Sequence, residues 1–137
     1  MLAFGRVLLS LIFVLGGVSK VVGFAATTEL LRVEGVPTPA LFLALAIVAE
    51  LAGGLSLMTG SFARLGALVL VLYLIPVTLI MHDFWNLGGL ERQMQLVNFL
   101  KNLSVMGGLL MVVGAGAGAP SVDNRVQGRI DGSPPIP

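Results

Sequence analysis

Apolar residues come in long blocks along this chain, neither alternating as in a strand nor spaced for a half-wet helix. From about Phe4 to Phe24 the only charges are Arg6 near the start and Lys20 near the end. A block of that length matches the ~20 residues that cross a bilayer as a helix. Further blocks run from about Pro39 to Met58, from Phe62 to Met81, and from about Leu90 to Val113. The second is broken by one carboxylate, Glu50. The pattern predicts an all-α polytopic membrane protein, a bundle of four transmembrane helices.

The connections support this reading. "ATTELLRVEGVPTP" is too short to span and carries turn signals at Gly35 and Pro37, so it predicts a short interfacial helix between the first two spans. Thr27 or Thr28 is expected to cap it. Thr38 before Pro39 reads as the N-cap of the second span, with proline at the first helical position. "TGS" at 59–61 makes the second and third spans antiparallel neighbours. Pro76 removes a backbone hydrogen bond from the third span and predicts a kink there. The glycine pairs at 53–54 and 107–108 predict close helix contact. Residues 1–114 form the expected membrane domain, and "GAGAGAP" opens a flexible tail over 115–137.

Composition sharpens the class. The 137 residues are 56% hydrophobic and only 11% charged, with mean hydropathy +0.98, so a water-soluble fold of this size could not hide its apolar surface. A net charge of +1 provides no field for nucleic acid. There is no cysteine, so no thiolate nucleophile, disulfide relay or cysteine-ligated iron–sulfur cluster resides on this chain. A single histidine also excludes bis-histidine haem ligation within one copy, and no metal set is expected. Redox chemistry would have to borrow its centre from a partner.

Four alternating spans bring the end of the first, the start of the second, the end of the third and the start of the fourth to one membrane face. Lys20, His82, Asp83, Asn98, Lys101 and Asn102 lie toward that face, with Glu50 beneath them. Arg6 and Arg64 lie toward the other. An ionisable group in mid-span costs about 2.5–3.5 kcal/mol on insertion scales, so Glu50 is a functional candidate. Glu50 and His82 are the candidates for proton handling. Lys20, Asp83, Asn98, Lys101 and Asn102 are the candidates for holding a polar ligand, such as a quinone carbonyl or a small anion. The competing reading is that these groups pair with one another and only specify helix packing. Tyr73 and the methionines read as packing, and "HDFWN" by itself as an interfacial helix end. The charges on the two sides tie; discounting Lys20 and Lys101 as drawn into the bundle places both termini inside.

"GRVLLSLIFVLGGVSKVVGF", "GVPTP", "AIVAELAGGLSLMTGSFARLGAL", "MHDFWNL" and "NFLKNLSVMGGLL", taken in order, resemble the DoxX family of small bacterial four-helix membrane proteins over about residues 4–113. The resemblance implies an inner-membrane location and association with quinone-linked or sulfur- and thiol-linked oxidoreductase systems. It implies a role for Arg6, Lys20, Glu50, His82, Lys101 and Asn102, which match the family's polar pattern. Quinone is the implied cofactor. The resemblance implies redox subunits as partners; the lipid bilayer and further copies of the chain are the other partners expected.

Overall fold

The computed structural model describes residues 1–131. They form α1 (Leu2–Val22), α2 (Phe24–Val33), α3 (Pro39–Thr59), α4 (Ala63–Met81), a single 3-10 turn at Phe84–Asn86, α5 (Gly89–Ala115) and α6 (Val122–Asp131). Among the described residues there is no strand. Helices α1, α3, α4 and α5 are each long and apolar enough to cross a membrane, as the block pattern predicts. α1 packs along α3, α3 along α4, and α4 along α5, while α5 touches α1 only lightly.

The outer faces are crowded with exposed leucine, valine and isoleucine, the inverse of a soluble protein and the surface that lipid requires. Inside, Phe13, Leu57, Ala67, Leu70, Val71, Leu74 and Leu109 form one core. Small residues let the backbones approach. A Cβ built on Gly53 would lie 2.6 Å from Leu70 Cγ, and one on Gly54 would lie 2.9 Å from Val14 Cγ2. The 107–108 pair behaves differently from expectation. Gly107 faces open space and Gly108 has only ordinary contact with Leu9, because α5 lies loosely against α1.

The helix ends show what sequence signals can and cannot fix. α2 exists where expected, but it starts a turn earlier, with Gly23 as its N-cap; the Thr28 hydroxyl turns back to bond the Phe24 carbonyl at 2.8 Å. Its other end is a Schellman closure. Val36 N–H donates to Leu31 O (3.0 Å) and Gly35 N–H to Arg32 O (3.1 Å), with Gly35 at φ +76°. α3 starts at Pro39 as predicted, yet Thr38 is left-handed (φ +49°) and its hydroxyl makes no cap. α4 continues as one helix through Pro76.

The segment after 115 differs from the expected flexible tail. Ser121 Oγ accepts the Asn124 N–H at 3.1 Å and so caps α6. The Asp123 carboxylate then accepts from Phe62 N–H (2.8 Å) and Ala63 N–H (3.1 Å), supplying from a distant part of the sequence the cap that α4 lacks. Buried Arg6 completes the tie by donating to the carbonyls of Ala117 and Pro120. Residues 132–137 of the expected tail lie outside the described residues. Asp123→Ala is expected to cost about 1 kcal/mol, the usual value of a lost N-cap, read as a lower Tm in detergent with unchanged helix content.

Candidate functional site

α3 carries its buried residues at Leu43, Ala46, Glu50, Gly53, Gly54 and Leu57, a stripe at three- and four-residue spacing that turns Glu50 into the protein. Glu50 lies eleven residues into the helix, about 16 Å from its start at 1.5 Å per residue. Its side chain is 8% exposed, against 29% for Lys20. Lys20 Nζ donates to both carboxylate oxygens at 2.9 Å. The Tyr73 hydroxyl donates to Oε1 at 2.7 Å. Gly16, one turn before Lys20, lets the carboxylate lie against α1: a Cβ there would stand 3.3 Å from Glu50 Oε2. One carboxylate thus receives donors from α1 and α4 at a single depth.

Beside this cluster is a small cleft of about 80 Å³, whose lining includes Lys20, Thr27, Leu31, Phe42, Tyr73 and Met81. Apart from Lys20, Thr27 and the tyrosine hydroxyl, its walls are apolar. Ligand pockets for drug-sized molecules are typically ~300–1,000 Å³, so this one can take the edge of a single ring while the rest of a ligand stays in lipid.

The other sequence-selected residues do not gather round this cleft. Asn102 Nδ2 donates to Thr78 Oγ1 at 3.1 Å, both side chains buried, and joins α5 to α4. His82 Nδ1 stands 2.8 Å from Gln95 Oε1, and Asp83 accepts from Asn86 at 2.9 Å. Lys101 Nζ donates to Asn98 Oδ1 at 3.1 Å on the exposed side of α5. Lys101 faces outward because it lies one residue, or 100° of helix, before Asn102, which turns inward. The expected single constellation is therefore divided: Lys20 and Glu50 together, Asn102 alone with Thr78, and His82, Asp83, Asn98 and Lys101 at the membrane face or outside.

Removing the Asn102 amide (Asn102→Ala) should cost about 0.6 kcal/mol, the average for hydrogen bonds between membrane helices, and at most about 1.7 kcal/mol. The matched cycle with Thr78→Val, followed by thermal unfolding, would isolate the pair.

Tyr73 was the principal residue missed. Its signal was depth: in an antiparallel hairpin about the 59–61 turn, Glu50 and Tyr73 stand about equally far from the turn, so they meet at one level. Thr78 and Gln95 had no comparable signal. Phe84, Trp85 and Phe99 pack edge to face, with ring centroids 5.2 to 6.3 Å apart, which supports the interfacial reading of "HDFWN".

Outside the spans, Arg32 binds Glu29 through two hydrogen bonds of 2.9 and 2.6 Å. That bonding holds the Glu29 carboxyl below its ordinary value and raises Arg32. The resulting stabilisation is present above the ordinary glutamate value of about 4.3 and is lost as pH falls through the lowered one. Both side chains are solvated, so screening keeps it small. No group of three or more metal-ligating side chains gathers among the described residues.

The sequence model of the DoxX family matches residues 1–83. The inner membrane protein YphA of Escherichia coli (strain K12) is 31% identical over 125 residues, covering 91% of this chain and 89% of that protein. The inner membrane protein YqjF of the same strain is 30% identical over 118 residues, covering 86% and 85%. A shorter similarity joins 79 residues to the ER-derived vesicles protein ERV29 of Saccharomyces cerevisiae, 29% identical over 58% of this chain and 26% of that one. No solved structure matches the chain.

Proposed function

The chain belongs to the DoxX family of membrane proteins, and from that premise we propose that it is a membrane subunit of an oxidoreductase system, holding the head of a lipid-soluble quinone beside Lys20 and Tyr73. The observation that carries this reading is the pairing of two donors, Lys20 Nζ and the Tyr73 hydroxyl, on one buried carboxylate at an otherwise apolar cleft. A quinone offers what that cleft lacks: a ring for the apolar walls, carbonyl oxygens for the donors, and a tail that remains in lipid. When bound it would supply two-electron, two-proton chemistry. Lys20, with one N–H beyond the two given to Glu50, and Tyr73, whose single O–H turns from Glu50 to the ligand on binding, orient the carbonyl, while Glu50 takes up or releases a proton. His82, one residue beyond the cleft-lining Met81, stands at the membrane face where a proton would enter. The electrons belong to a partner's redox group, since the chain has no cysteine to hold one. The names of the two bacterial relatives support an inner-membrane location; both termini inside rests on the loop charges with Lys20 and Lys101 discounted.

A small anion held by Lys20 is the variant of this reading with the same residues. The rival is a structural or assembly subunit, favoured by a specific observation: Lys20, Glu50, Tyr73, Thr78 and Asn102 all find partners within the chain. Lipid extracts of the protein purified from its own membrane separate the two. Quinone should be recovered with the wild type, and at lower occupancy from Tyr73→Phe, whose affinity should be about fivefold weaker, the equivalent of one hydrogen bond of about 1 kcal/mol. Absence of quinone from a well-folded wild type would favour the structural role.

A further inference from the structure

The C-terminal helix has a job that the four spans do not share. α6 carries Val122, Val126 and Ile130 at four-residue spacing, and they are 43%, 52% and 74% exposed. Its first turn is fastened to the protein. Asp123 N–H donates to Gly60 O at 3.0 Å, and the Asp123 carboxylate binds the start of α4. Arg6 near the start of α1 holds the chain just before it through Pro120 O at 3.0 Å. Gly60 is essential to this approach, since a Cβ there would stand 2.5 Å from Ser121 Cβ. α6 is thereby pinned where α1 and α4 begin and α3 ends, at the opposite membrane face from His82.

We infer that α6 lies in the headgroup region of the same bilayer that the spans cross, with Val122, Val126 and Ile130 sunk to the level of the upper acyl chains. Asp123, which grips the protein, borders this stripe, about 60° round the helix from Val126, yet Val122, Val126 and Ile130 all remain exposed beyond it. Arg125 flanks the apolar stripe on its other side, exposed and placed to meet lipid phosphate. A short helix with one apolar stripe, a cationic flank and little other hydrophobicity suits a membrane surface better than a span. Its tether holds it at the depth where that surface begins. The occupant of the stripe is lipid; a second copy of the chain is the competing outcome.

The chain's lack of cysteine makes the test direct. Val126→Cys and Asn124→Cys, each carrying an environment-sensitive fluorophore, are reconstituted in phosphatidylcholine–phosphatidylglycerol vesicles with and without brominated acyl chains. The label at 126 should be quenched by bromine at least about twofold more than the label at 124, which lies on the opposite side of the helix. Ile130→Cys should repeat the result and stands in if the first variant folds poorly. Equal quenching at apolar and polar positions would overturn the inference. So would bromine-independent shielding at 126 that disappears when the protein is diluted into excess lipid, since that marks a second copy.

Discussion

Lys20→Met is expected to destabilise the protein by about 3–5 kcal/mol, because it strips the cation from a carboxylate that remains buried. The side chain is nearly isosteric, so the loss will not be one of packing volume. Glu50 would keep only the Tyr73 hydroxyl, one hydrogen bond against the cost of a charge with no counter-ion. The double variant Lys20→Met/Glu50→Gln should recover most of the loss, since the amide carries no charge and still accepts from Tyr73. A buried ion pair replaced as a unit is often neutral, whereas a broken one is not. Thermal unfolding of the four members of the cycle in detergent gives the coupling. Single and double variants of equal stability would show that the pair exerts no hold on the bundle.

Gly53→Val should produce the next largest effect, near the upper end of the roughly 1–3 kcal/mol typical of overpacking. A Cβ at this position would already be 2.6 Å from Leu70 Cγ and 3.0 Å from its Cδ2, and Leu70 is fully buried, so it has nowhere to turn. The helices must separate instead. Tyr73 is one turn along α4 from Leu70, and separation draws its hydroxyl away from Glu50. Stability and any ligand binding at the cleft should therefore fall together. Gly107→Val, with nothing near its Cβ, is the control and should be close to neutral.

These two cases mark how far the sequence could be read. The four spans were legible because their length and apolarity are imposed by the bilayer, and Pro39 placed the start of α3. Glu50 stood out because a mid-span carboxylate is costly wherever it points. Direction was harder. Lys101 and Asn102 are adjacent, yet one faces outward and the other is buried, a difference set by how α5 rests on α4. Tyr73 was passed over because an aromatic in a span is ordinary until its hydroxyl finds a partner on another helix. Asp123 could not have been found from local pattern at all. It caps α4 across some sixty positions of sequence, a contact that exists only once the helices have assembled.

If the Lys20–Glu50–Tyr73 cluster holds a quinone head, as proposed, a short-chain quinone should shift the thermal unfolding of the wild type in nanodiscs more than that of Tyr73→Phe. Saturation near 100 times Kd should stabilise the wild type by about 2.7 kcal/mol by mass action. Tyr73→Phe keeps the ring and its packing, so it should fold and show a clearly smaller shift at the same concentration. Equal shifts in both proteins, or none in the wild type, would contradict the account.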